Sequence, residues 1–210
     1  MTGCVWVLGA TGVVGQQAVL ALLADPSTSR VVAIQRRPVR IDAPKYGEKV
    51  VDFEQLETSL AGESADVAVC CLGTTIKQAG SQAQFRHIEL DYTLAFARAA
   101  QAAGVRHFLV VTALGASPKS LVFYNRVKGE IEQALTDMRF PALTIVRPSL
   151  LVGDRKETRL GEKLAEPFMR LLPRSVRGIG VDKVGKALAK LALGPAHGKR
   201  VVLSRELHDF

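Results

Sequence analysis

Short, nearly unbroken apolar runs alternate along this chain with longer stretches in which apolar residues recur every third or fourth position. Val5–Leu8, Val31–Ile34, Lys49–Phe53, Asp66–Leu72, Arg106–Thr112, Ala142–Val146 and Arg200–Leu203 form the first set. Runs with little polar alternation are those of parallel strands buried on both faces. Between them, "VVGQQAVLALLA", a short stretch through Leu56 and Leu60, the positions Phe85, Ile88, Tyr92, Ala95, Ala99 and Ala103, and "LVFYNRVKGEIEQAL" carry helical spacing. "KQAG" reads as a loop, Ser81 with Gln84 as a capping box, and Gly104 as the stop of the long helix. Past Pro148 the pattern predicts a charged loop, an apolar helix around Leu164–Leu172 and a helix near Val184–Leu193. Strand and helix alternate throughout. That rhythm predicts an α/β protein with a Rossmann-like, doubly wound parallel sheet in three α/β/α layers. The whole of 1–210 is expected to form one domain, with about 147–210 contributing the substrate side.

The first strand runs straight into Gly9, Gly12 and Gly15, and these open the first helix. Glycines there let main chain approach a pyrophosphate, and a helix N-terminus offers free N–H groups and partial positive charge. The spacing is GxxGxxG rather than GxGxxG; its place between strand and helix is what gives it weight. The expected contacts at this turn are Gly9, Thr11, Gly12, Val13, Val14 and Gly15. At the end of the second strand a carboxylate would mark an NAD-type ribose site. Gln35, Arg36 and Arg37 stand there instead. Guanidinium pairs with a 2′-phosphate, so Arg36 and Arg37 point to NADP(H). Asp52 suits two roles, contact with the adenine and capping of the next helix. Leu72, Gly73 and Thr74 end the fourth strand at the carboxyl edge of the sheet, where ligands of such folds lie.

Composition changes this picture little. The chain of 210 residues is 48% hydrophobic and 23% charged, ordinary for a globular protein. No apolar run reaches the ~20 residues of a membrane span, and no secretory signal is expected from the opening residues. Cys4, Cys70 and Cys71 read as core thiols of a reducing cytoplasm, the adjacent pair facing opposite ways. The net charge of +8 is spread along the chain without a basic, aromatic-interleaved stripe, so neither nucleic acid nor membrane is an expected partner. His87, His107, His197 and His208 show no metal-ligand spacing, and no metal is expected.

Chemistry enters with Tyr124 and Lys128, one helical turn apart on a single helix face. A phenol is a poor acid–base group at neutral pH unless a nearby cation favours its phenolate. So placed, Tyr124 would exchange a proton with a substrate oxygen while hydride moves at carbon. Thr112, at the end of the fifth strand, is the best-placed hydroxyl to hold that oxygen; Ser117 and Ser120 are alternatives.

The stretches "GATGVVG", "QRRP", "CCLGTT", "DYTLAFARAAQAAGVRHF", "GASPKS", "YNRVKGEIE" and "RPSLLVGDRKETR" together resemble an atypical short-chain dehydrogenase/reductase, and within it the Tat-interactive protein 30-like oxidoreductases. The resemblance implies NADP(H) along the carboxyl edge, Tyr124 as general acid/base, Lys128 on the nicotinamide ribose, and Pro148 and Ser149 near the carboxamide. It also implies a small-molecule substrate, of carbonyl type, and admits a homodimer or a regulatory protein partner. Its second functional reading is an NADP(H)-binding regulator or scaffold. The chain departs from the superfamily pattern twice: Thr112 replaces the usual serine, and Glu89 falls where many members carry asparagine.

Overall fold

A computed structural model describes residues 2–152 and 178–210. Strands β1 (Thr2–Leu8), β2 (Thr28–Gln35), β3 (Tyr46–Val50), β4 (Val67–Cys70), β5 (His107–Val111), β6 (Ala142–Arg147) and β9 (Gly198–Leu203) form one sheet in the order β3-β2-β1-β4-β5-β6-β9. Every pairing in it is parallel. The order reverses between β1 and β4, which opens a crevice at their carboxyl ends. A separate parallel pair joins β7 (Leu151–Val152) to β8 (Ile179–Gly180).

Successive strand residues serve opposite faces, as the pleat requires. Trp6, Leu8, Ala68, Cys70, Phe108 and Val110 pack with helices α2 (Leu56–Ser59), α4 (Gln82–Arg86), α5 (Tyr92–Ala102) and α6 (Phe123–Asp137). Val5, Val7, Val67, Val69, Leu109 and Val111 pack with α1 (Val13–Ala24) and α7 (Val181–Leu193). Helices thus cover both faces, as expected. The two outer layers differ in one respect that periodicity does not show. Gly185 of α7 sits so close to α1 that a Cβ there would fall 2.4 Å from Gln17 Cβ and 2.8 Å from Ala18 N.

Several expectations are corrected. "KQAG" is not a loop: one-turn helix α3 (Ile76–Ala79) forms there, capped by the Thr75 hydroxyl and closed by Gly80 at φ +86°. The third strand ends at Val50, before Asp52 and Phe53. Asp52 caps a 3-10 turn, Phe53–Gln55, by accepting from Glu54 N–H at 3.0 Å. The long helix is interrupted by a π turn, His87–Asp91. Of the positions expected to face the core, Phe85, Tyr92 and Ala99 are buried and Ile88, Ala95 and Ala103 are half-buried against the same core, while Glu89, Leu90, Thr93, Phe96, Ala97 and Ala100 widen the buried face. The one-turn helix α8 (Ser204–Leu207) follows β9. The expected helix at Leu164–Leu172 lies outside the described residues. Among those described, no helix is long and apolar enough to cross a membrane. Cys4, Cys70 and Cys71 are free thiols.

His107, at the start of β5, is buried and its Nε2 shares a hydrogen bond with Thr144 Oγ1 of β6 at 2.8 Å. Burial pushes its imidazole down from 6.5 to about 4. The unfolded chain therefore binds the extra proton first. The stability held by neutral His107 is complete above its unfolded pKa and is lost as the pH falls from there through about 4. Urea unfolding from pH 7 to pH 4 is expected to show a shallower acid decline in His107→Asn than in the wild type. Parallel declines would remove His107 as the source.

Candidate active site

Three main-chain segments meet at the crevice between β1 and β4. Gly9 turns out of β1 with φ +80°, and a Cβ there would lie 2.7 Å from the carbonyl of Cys71 and the nitrogen of Leu72. Gly12 N–H donates to Gly9 O at 3.0 Å and Gly12 takes the N-cap position of α1. A Cβ on Gly15 would stand 2.1 Å from Gly9 O. So the first turn of α1 is pressed onto the glycine turn, and that turn onto the loop after β4. No side chain caps α1 and no acidic residue lies in its first turn. Its leading N–H groups suit an anion. Thr11 is exposed, and its carbonyl accepts from Gln16 Nε2 at 3.1 Å. Val14 is buried in the core, so it can meet a ligand only through its main chain; Val13 is half-buried. The glycine cradle therefore fits a nucleotide diphosphate.

At the end of β2, Gln35 is buried and its Nε2 donates to Glu48 Oε2 at 2.7 Å. The same Glu48 oxygen accepts from Val39 N–H at 2.9 Å. Arg36 and Arg37 are exposed, with the Arg36 guanidinium 5.6 Å from the centre of the Phe53 ring. Of the two roles suggested for Asp52, the structure shows the cap.

The other end of the crevice holds a buried ion pair. Lys128 of α6 is 4% exposed and Glu89 of the π turn 1%. Lys128 Nζ donates to Glu89 Oε2 at 2.5 Å, and Thr74 N–H donates to Glu89 Oε1 at 2.6 Å. One carboxylate thus ties α6 to the Leu72–Thr74 loop. Burial alone would depress the ammonium; Glu89 overrides it and holds Lys128 above the ordinary lysine value. Removing one partner of such a pair leaves an uncompensated buried charge, a loss of about 3–5 kcal/mol. Tyr124 is half-buried, packs on Phe85 with ring centres 5.7 Å apart, and lies with its ring centre 6.0 Å from Lys128 Nζ. The loop after β5 is seated directly on α6 beside Lys128: a Cβ on Gly129 would come within 2.0 Å of the Ser117 carbonyl carbon.

Thr112 belongs to a second cluster. Its hydroxyl donates to Glu132 Oε1 at 2.6 Å, and Arg147 grips the same carboxylate, Nε to Oε1 at 2.9 Å and Nη2 to Oε2. The Thr112 proton is therefore committed to Glu132, and what Thr112 does here is tie β5 to α6. Of the serine alternatives, Ser117 Oγ accepts from Lys119 N–H and Ser120 Oγ from Val122 N–H. Pro148 is buried with its carbonyl accepting from Leu114 N–H, and Ser149 Oγ accepts from Ser204 Oγ at 2.8 Å.

Sequence reasoning missed Glu48, the Glu132–Arg147 pair and the π turn. It also took His87 for an ordinary helix residue; His87 bridges Glu54 and Asp91, both at 2.9 Å, and the hydrogen bonds from those two carboxylates raise its pKa. Among the described residues, no group of three or more His, Cys, Asp or Glu side chains could hold a metal ion.

A family model described as NAD(P)H-binding matches residues 9–192. Protein HTATIP2 of Rattus norvegicus is 35% identical over 209 residues, covering 96% of this chain and 86% of the relative. Protein fmp52, mitochondrial, of Emericella nidulans is 30% identical over 205 residues, covering 91% and 88%. An oxidoreductase of the short chain dehydrogenase/reductase family from Burkholderia thailandensis superposes with a TM-score of 0.71 at 18% identity, over 99% of this chain and 94% of that one. At that identity the superposition shows the shared fold. The fungal names overturn the expected cytoplasmic location, since the Emericella protein and further fungal proteins of that name are called mitochondrial. Free thiols suit any reducing compartment and could not choose between them.

Alanine in a helix normally outranks glycine by about 1 kcal/mol. At Gly15 the overlap with Gly9 O reverses the sign. Gly15→Ala is expected to cost about 1–3 kcal/mol, read as a melting temperature several degrees lower; an unchanged or higher melting temperature would contradict the close approach.

Proposed function

The chain belongs to the NAD(P)H-binding family as an atypical short-chain dehydrogenase/reductase, and from that premise we propose that it is an NADP(H)-dependent oxidoreductase that reduces a small carbonyl-type substrate, with Tyr124 as its proton donor. The observation that carries this reading is the placement of Tyr124 and Lys128 on one face of α6, at the same sheet edge as the glycine turn. The Gly9–Gly15 main chain would hold the pyrophosphate, Arg36 and Arg37 the 2′-phosphate, and Leu72–Thr74, Pro148 and Ser149 the nicotinamide half. Bound NADPH supplies the hydride.

Tyr124 gives its phenolic proton to the carbonyl oxygen as the carbon is reduced, so the C=O group becomes a C–OH group. Lys128, kept charged by Glu89, holds the ribose and stabilises the phenolate left on Tyr124. Phe85 packs on one side of the Tyr124 ring and fixes its place. At the adenosine end no carboxylate replaces Gln35, and Glu48 is already engaged by Gln35 and Val39 N–H. That leaves Arg36, steadied over Phe53, to meet the extra phosphate.

One observation favours a second reading, a coenzyme-binding regulator with little turnover. Lys128 and Thr112 both direct their polar groups to buried carboxylates, Glu89 and Glu132. A screen of NADPH oxidation against aldehydes, ketones and quinones separates the two. For the enzyme, Tyr124→Phe is expected to bind NADPH as the wild type does and to lose about 10²-fold or more in turnover. Equal rates in both proteins would remove Tyr124 from the mechanism, and no turnover by the wild type with any carbonyl would favour the regulator. Arg36→Ala is expected to weaken NADPH by about tenfold and NADH hardly at all; equal losses for both would contradict the phosphate assignment.

A further inference from the structure

Glu89 lies at the middle of the π turn, 1% exposed, with one oxygen on Lys128 Nζ and the other on Thr74 N–H. The ionisable groups bearing on Lys128 are Glu89, Tyr124 and the buried Cys70 thiol, which itself shares a hydrogen bond with Thr93. With the phenol and thiol neutral, the cluster holds one positive and one negative charge and sums to zero. A neutral side chain at position 89 would leave a bare ammonium in the same place.

The two forms of a nicotinamide coenzyme differ by one charge at the ring: the oxidised ring is a cation and the reduced ring is neutral. A bare ammonium on the adjoining ribose penalises the oxidised form alone, because Coulomb repulsion acts only on a charged partner. A compensated ammonium penalises neither. Resting on the coenzyme reading above, we infer that Glu89 is a positioning residue that sets the balance between oxidised and reduced coenzyme, by cancelling the charge of Lys128 while holding it against the Thr74 loop. The protein then binds NADP+ about as tightly as NADPH, and the bound couple keeps a potential close to that of the free one.

Calorimetric titration with NADP+, NADPH and 2′,5′-ADP tests this. The last lacks the nicotinamide ribose and reports only the adenosine half. In the wild type the two coenzymes are expected to agree in Kd within about threefold. In Glu89→Gln the Kd ratio of NADP+ to NADPH should rise by at least about tenfold, the effect of one unit charge ~12 Å away at an effective dielectric of ~20, a nearer charge giving more. Binding of 2′,5′-ADP should not change. Glu89→Asp, which keeps the charge, should restore the wild-type ratio. If Glu89→Gln fails to fold, seen as loss of 2′,5′-ADP binding, the wild-type ratio decides alone. A wild type preferring NADPH by tenfold or more, or a folded Glu89→Gln with an unchanged ratio, overturns the inference and leaves the coenzyme reading standing. A wild type that binds none of the three ends that reading and the inference with it.

Discussion

The structure depends on how closely three stretches of main chain approach one another where the strand order reverses. Gly9 leaves no room for a side chain against the loop after β4, and Gly15 leaves none between α1 and Gly9. Placing backbone on backbone brings the start of α1 to the mouth of the crevice with its N–H groups uncapped. Every other part of the site is arranged around that mouth. β2 delivers Arg36 to one side, and β4 delivers Gly73 and Thr74 to the other. A Cβ at Gly15 would displace the helix that presents the amides, so shape and chemistry are set by the same missing atom.

The far side of the crevice is organised by charge. Ion pairs this deeply buried are costly to form unless their hydrogen bonds are complete. Glu89 meets that condition, with its two oxygens on an ammonium and on a main-chain N–H. Glu89 lies within the π turn, four positions past the buried Phe85 and on the same core-facing side. A parallel arrangement recurs one turn along α6, where Glu132 gathers Thr112 and Arg147. Two acidic side chains therefore fasten the helix carrying Tyr124, one to the loop after β4 and one to the ends of β5 and β6.

Much of this was legible in the residues. Continuous apolar runs such as Val67–Cys70 marked the buried parallel strands, and Gly9, Gly12 and Gly15 marked the turn. Tyr124 and Lys128 could be paired because helical spacing alone puts them on one face. What periodicity could not show was a change of period. A π turn leaves no compositional trace, and nothing in the sequence pairs Glu89 with Lys128, which lies thirty-nine positions on in another element. Thr112 was placed correctly at its strand end, but which way a threonine hydroxyl turns depends on Glu132, twenty positions on and in another element. Glu48 and Gln35 meet across neighbouring strands, a register that only the sheet reveals.

The contact between Gly185 of α7 and the backbone of α1 joins the first helix of the chain to the last long one. On the ribosome, β1 and α1 emerge well before α7, which packs on the apolar side of α1, and before β9 at the edge of the sheet. Until α7 emerges, Ala18, Val19 and Leu22 have the strands of the sheet to pack on but lack their helix partner. Such a topology delays completion of this face until α7 has been made, and gives chaperones that shield exposed apolar segments a natural window in which to act.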